Sequence, residues 1–214
     1  MAESAELSRD ATRARWILAI ALWVAFASLA AATHARWTMR IDSLALQAAR
    51  SLRAEHPSLI GALRDLSGFG STLVLFLLTA ATAGWLVLRG SLRDAVVVGA
   101  ASLIGFGADN LAKHVVARAR PPVADAAFAV STYSYPSGHA AFSALVFLML
   151  ALVFSTGRSA VDRRYAVAVA IVFSGLVGAS RVLLGVHWAS DVVGGWLLGA
   201  GGALIAGTLL RPAR

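Results

Sequence analysis

Apolar residues run along this chain in long unbroken blocks, without the strict alternation that marks half-buried strands. The stretches 16–33, 71–88 and 165–180 carry no charged side chain and approach or reach the ~18 residues that mark a membrane-crossing helix. Extended to their polar borders, the blocks predict six spans, at about 16–33, 71–88, 95–112, 139–155, 165–183 and 188–210. The fold class expected is therefore all-α, an integral membrane six-helix transmembrane bundle, with residues 1–214 forming one membrane-embedded domain. The third span differs from the rest because Asp109, Asn110 and Lys113 crowd its end. Polar groups at that depth must face protein or a wet cavity.

Two segments need separate reading. Arg13 and Arg15 precede an apolar run that ends Ala30-Ala31-Ala32, which resembles a cleavable signal peptide; an uncleaved anchor is expected, because the run is long for a signal core. The connection 34–70 is the longest between spans. Ile41, Leu44, Ala48 and Leu52 recur there at helical spacing with Arg40, Arg50 and Arg53 among them. They suit an amphipathic helix lying in the headgroup layer, or a polar surface helix packed on the bundle.

The apolar share of 58% lies well above the norm for water-soluble domains. A net charge of +8 raises nucleic acid as a partner, but the basic residues sit mostly between apolar spans and form no stripe with aromatic residues, so no nucleic acid is expected. Membrane topology explains them better. With the N-terminus inside, Arg9, Arg13, Arg15, Arg89, Arg93, Arg158, Arg163, Arg164, Arg211 and Arg214 fall on the cytoplasmic side, in short segments flanking spans. Cysteine is absent, which excludes thiol chemistry, disulfides and cysteine-held zinc.

Helix parity then gathers the remaining chemistry. The connections 113–138 and 184–187 are separated by two spans, so both open on one side. The first begins Lys113-His114-Val115-Val116-Ala117-Arg118-Ala119-Arg120-Pro121. Lys113 and Arg120 stand two helical turns apart and would share a face if the helix continued to the prolines. Lys113 is also the chain's single lysine. Pro136-Ser137-Gly138-His139 comes next; a small-residue turn at a helix start offers free N–H groups to an anion. The last piece is Ser180-Arg181, then His187 and Asp191. Four residues apart, a carboxylate can accept one ring N–H and leave the other nitrogen's lone pair free. Each piece alone is also compatible with a structural role: a border anchor, an ordinary turn, a self-satisfied His–Asp pair.

Together the three segments resemble the signature of the type-2 phosphatidic acid phosphatase and vanadium haloperoxidase superfamily, in its membrane lipid phosphatase branch. That signature runs Lys, six residues, Arg-Pro; then Pro-Ser-Gly-His; then Ser-Arg, five residues, His, three residues, Asp. The resemblance implies catalysis by His187 as nucleophile, His139 as acid and base, and Asp191 as the group orienting His187. It implies phosphate binding by Lys113, Arg120, Ser137, Gly138 and Arg181, with no metal and no cofactor. The expected reaction is hydrolysis of a lipid-linked phosphate or diphosphate through a phosphohistidine, with undecaprenyl (polyprenyl) diphosphate as leading substrate.

Phosphatidate or phosphatidylglycerol phosphate hydrolysis and lipid phosphotransfer are alternatives on the same residues. A phosphate-binding transporter or scaffold is disfavoured because binding alone needs no pair of histidines. Haloperoxidase chemistry is disfavoured because an apolar bundle suits lipid better than soluble peroxide and halide. The partners expected are the lipid phosphate and membrane lipids. The location expected is a bacterial inner membrane, with the site on the extracytoplasmic side.

Overall fold

The computed structural model describes residues 2–122, 124 and 126–211, with side chains described from Asp10 onward. Eight α-helices carry the fold, and no strand occurs among the described residues. They are α1 (Ala2–His34), α2 (Met39–Glu55), α3 (Leu59–Gly68), α4 (Thr72–Leu88), α5 (Leu92–Val116), α6 (Gly138–Phe154), α7 (Ala160–Leu183) and α8 (Ala189–Leu209).

Among the described residues, five stretches are long and apolar enough to cross a membrane: Asp10–His34, Leu59–Leu88, Leu92–Val116, Ala160–Leu183 and Ala189–Leu209. The fourth of the expected spans is α6, a shorter apolar helix of 17 residues, about 25 Å long. It lies at the centre of the bundle, packed on α8, α7, α5 and α4. Phe142, Leu145, Val146, Met149 and Val153 of α6 meet Leu75, Leu86, Val98 and Ala203 in the main apolar core. Outward-facing side chains are also apolar: Ile17, Leu73, Leu103, Ile104 and Ile171 are all exposed. A shell that is apolar outside as well as inside needs lipid, rather than water, as its solvent.

Close approach of α6 and α8 rests on two glycines. A Cβ on Gly199 would stand 2.0 Å from the Ala141 carbonyl oxygen, and one on Gly195 would stand 2.6 Å from that of Ser137. This is the small-residue spacing that lets membrane helices touch backbone to backbone. Hydroxyls and indoles add cross-links: Thr79 to Ser102 at 3.1 Å, Ser143 to Ser174 at 3.2 Å and Trp196 Nε1 to the Ser174 carbonyl at 3.1 Å.

Three expectations change. The connection 34–70 forms two helices, α2 and α3, instead of one helix in a loop. Ile41, Leu44 and Ala48 face outward, while Asp42, Leu46 and Ala49 are buried. The inward face is thus set by the carboxylate of Asp42, which has partners in the bundle, and the apolar stripe is left pointing away from the protein. Lastly, α5 stops at Val116, where Ala117 takes a left-handed conformation at φ 48°, four residues before Pro121. Lys113 and Arg120 therefore share no helix face; the loop, and not the helix, brings Arg120 back.

Candidate active site

The C-terminal ends of α5 and α7 and the N-terminal ends of α6 and α8 meet at one end of the bundle, with α2 and α3 beside them. The opposite end gathers the start of α1, the turn between α6 and α7 and the end of α8. There Arg15 Nη1 donates to the Gly207 carbonyl at 3.2 Å, and the Arg211 N–H to Asp94 at 3.1 Å.

His187 lies in the turn before α8, after Gly185 at φ 72°. It is 2% exposed. His187 and Asp191, four residues apart, do not share a helix: only Asp191 is helical, at the third position of α8. From there its carboxylate reaches back to accept the Trp188 N–H at 2.9 Å and His187 Nδ1–H at 3.4 Å. The other ring nitrogen, Nε2, accepts from Arg120 Nη1 at 2.9 Å. Because a guanidinium can only donate, the proton of the neutral imidazole is assigned to Nδ1. Burial pushes this imidazole down to about 3; the hydrogen bond to Asp191 opposes that shift, and the charges of Arg120 and Arg181 reinforce it. His187 is therefore held neutral, with its lone pair directed at Arg120.

Arg120 is fixed on several sides at once. Its Nε donates to the Thr132 carbonyl at 2.6 Å and Nη1 to the Val186 carbonyl at 2.6 Å, while Nη2 reaches Thr132 Oγ1 at 2.9 Å and the Tyr133 carbonyl at 3.2 Å. Arg181, at the end of α7, donates from Nη1 to Ser67 Oγ of α3 at 2.6 Å and stacks over Phe128 at 5.6 Å. Lys113 Nζ is held by Asp109 at 3.2 Å and also donates to the Pro136 carbonyl. His139, in the first turn of α6, lies within electrostatic reach of Arg181, His187, Lys113 and Arg120. All eight sequence-selected residues thus converge on one end of the bundle.

Among the described residues, two polar side-chain atoms at this end are buried without a hydrogen-bond partner: Ser137 Oγ and Arg181 Nε. Ser137 does not use its side chain to cap α6. Each unpaired buried group costs about 1–3 kcal/mol, a cost that a bound oxyanion removes. At Gly138 a Cβ would come within 2.9 Å of Asp109 Oδ2 and 3.6 Å of Lys113 Nζ, so the bare backbone keeps this helix start close to the cation. No group of three or more His, Asp or Glu side chains converges as a metal site among the described residues.

Sequence reading missed several neighbours. Arg118 joins Asp191 to Asp42 of α2. Ser134 donates its hydroxyl to Asp191, and Ser67 holds Arg181. Asp42 had one available signal, a carboxylate in the first turn of a helix whose other charged side chains before Glu55 are arginines. The two serines had none, since nothing in their local sequence marks them.

Residues 92–212 match the family described as the PAP2 superfamily. The phosphatidylglycerophosphatase B of Bacillus subtilis is 32% identical over 187 residues, covering 84% of this chain and 88% of its own length. The undecaprenyl-diphosphatase of Sulfolobus acidocaldarius is 30% identical, over 67% of this chain and 66% of its own. Among solved structures, the transmembrane PAP2-type phosphatidylglycerolphosphate phosphatase of Bacillus subtilis superposes with a TM-score of 0.74 at 30% identity, covering 88% of this chain and 93% of that one.

Proposed function

Because this chain belongs to the PAP2 superfamily, it is a phosphatase of the lipid-phosphate class, and we propose that it hydrolyses the terminal phosphate of a membrane lipid with His187 as the nucleophile. One observation carries the reading. Two imidazoles, two arginines and two unpaired buried donors, Ser137 Oγ and Arg181 Nε, converge beside the start of α6, whose first-turn N–H groups have no partner within the helix.

His187 Nε2 attacks phosphorus, the bond from phosphorus to the lipid oxygen breaks, and His139 protonates that leaving oxygen. Asp191 holds the Nδ1 proton and offsets the positive charge that the ring gains. In the second half, His139 takes a proton from water, the resulting hydroxide attacks phosphorus, and the P–N bond breaks to return neutral His187 and free phosphate. Arg120 and Arg181 grip the equatorial oxygens through planar forks. Lys113, Ser137 Oγ and the Gly138 N–H supply further contacts, and charge stabilisation by these side chains takes the place of a metal.

A lipid suits this end of the bundle because its phosphate would sit at headgroup depth. An apolar cavity of about 330 Å³ between α1, α5, α6 and α8, bordered by Ala108 and Ala141, supports the reading by offering space for a tail. Phosphatidylglycerol phosphate now stands first among substrates, since the relative bearing that specificity in its name matches most of both chains. Polyprenyl diphosphate, the expectation from sequence, stands second on the shorter match. The chain acts as a single membrane-embedded unit in which α6 is a sixth crossing. Its arginine-rich end lies in the cytoplasm of a bacterial cell, and the site faces outward from the inner membrane.

Phosphate release by purified protein from both lipids and from a soluble phosphomonoester, with chelator present, tests the assignment. Activity on lipid that His187→Ala abolishes is expected; a clear preference for the soluble ester, or full activity in His187→Ala, would overturn it.

A further inference from the structure

Asp42 lies outside the family match, on α2, yet it is 1% exposed. Its Oδ1 accepts the Ser190 N–H at 2.9 Å, and its Oδ2 accepts Ser190 Oγ at 2.7 Å and Arg118 Nη2 at 2.7 Å. The same guanidinium places Nη1 at 2.5 Å from Asp191 Oδ1 and 2.8 Å from Ser190 Oγ, with its carbon 5.5 Å over the Trp188 ring. The Arg118 carbonyl accepts the Ser134 N–H at 2.8 Å, and the Ser134 hydroxyl turns to the other oxygen of Asp191. A planar fork bridging two fully buried carboxylates fixes both in position and in plane.

We propose that Asp42 and Arg118 are positioning residues, forming with Asp191 a buried relay from α2 to His187 that sets both the aim and the charge of the nucleophile. The inference rests on His187 as nucleophile and goes beyond it. A lone carboxylate hydrogen-bonded to a buried imidazole draws a proton onto the ring and blocks the attacking lone pair. Arg118 offsets Asp191, and Asp42 in turn offsets Arg118. Two carboxylates and one guanidinium leave one unit of negative charge, enough to support the developing phosphohistidine. The other charged or titratable groups near His187 are Arg120 from the loop, Arg181 from α7, His139 from α6 and Lys113 from α5. Arg120 and Lys113 also act on Asp191 through their charge, and Tyr135 lies within electrostatic reach of Asp191 and Arg118, but none of these side chains hydrogen-bonds to Asp42, Arg118 or Asp191. Asp42 also makes α2 part of the catalytic architecture, although α2 supplies no group to the phosphate.

The test is the pH dependence of kcat, which reports the enzyme–substrate complex, for full-length protein in detergent with phosphatidylglycerol phosphate. Arg118→Gln leaves two carboxylates beside His187: kcat falls about a hundredfold, KM is nearly unchanged, and the acid limb moves to higher pH. Asp42→Asn keeps the shape but removes a negative charge, so the acid limb moves to lower pH. The double variant restores the net charge and returns the limb toward its wild-type position. Shifts in the same direction, no shift, or a loss confined to KM would overturn the relay.

Should Arg118→Gln fail to purify, Arg118→Lys decides the matter. It keeps the charge but cannot span two carboxylates, so the expected result is a reduced kcat with an unmoved limb; wild-type kcat in that variant rejects the proposal. Activity surviving in His187→Ala would instead remove the nucleophile assignment. An inactive His187→Ala with unmoved limbs in the relay variants removes the relay alone.

Discussion

Arg120 Nη1 donates a hydrogen bond to His187 Nε2 across 2.9 Å, so the proposed phosphate-binding cation rests on the lone pair proposed to attack phosphorus. The contact selects one tautomer of an imidazole that burial holds neutral. In the mechanism proposed above, Arg120 exchanges the imidazole for a phosphate oxygen when substrate binds. Its anchors on the Thr132 and Val186 carbonyls confine that exchange to a short swing.

Arg120→Lys is accordingly expected to be no conservative change. A point charge cannot meet Thr132, Val186 and His187 together, and a fall in kcat/KM of about a hundredfold is expected, measured by phosphate release from lipid. Activity within a few-fold of wild type would show that charge alone suffices.

His139→Ala should separate leaving groups. Protonation of the departing oxygen matters for an alkoxide and little for a phenolate of low basicity. Turnover of a lipid phosphate should collapse, while that of p-nitrophenyl phosphate should fall much less. Equal losses on both substrates would argue against the acid role.

Stability should depend on pH through His187. Its folded value of about 3 lies below the ordinary 6.5, so the unfolded chain binds a proton that the folded chain refuses. The stabilisation is complete above about 6.5 and drains away as pH falls toward 3. Thermal unfolding in detergent should therefore show a steeper acid decline for wild type than for His187→Gln.

Gly199→Val tests the contact of α6 with α8. Even a Cβ would press on the Ala141 carbonyl, and overpacking of this kind costs about 1–3 kcal/mol. A lower unfolding temperature with loss of activity is expected, because Ser137 to His139 and His187 to Asp191 ride on those two helices. An unchanged unfolding temperature would refute the packing account.

Orientation can be read by labelling. Ala129 is exposed at the end that carries the proposed site, and in a chain without cysteine Ala129→Cys provides a single thiol. An impermeant maleimide should label it in intact cells; labelling only after lysis reverses the topology and leaves the chemistry untouched.

The sequence by itself determined that this chain is helical and built for lipid, because backbone groups in hydrocarbon must be satisfied within each segment, and uncharged runs of such length leave little alternative. Spacing also made Lys113, Arg120, His139, Arg181, His187 and Asp191 legible as one group, since helix parity alone sends their segments to the same end. Tertiary structure decided the rest. Where α5 stops depends on the left-handed Ala117, which lies ahead of the prolines that mark a stop in sequence. The inward face of α2 follows Asp42 rather than the apolar stripe, because burying an unpaired carboxylate would cost more than leaving Ile41 and Leu44 to the membrane surface. The pairing of Asp42 with Arg118 spans 76 positions. No local pattern encodes such a contact, since it exists only once the packed helices bring both partners out of water together.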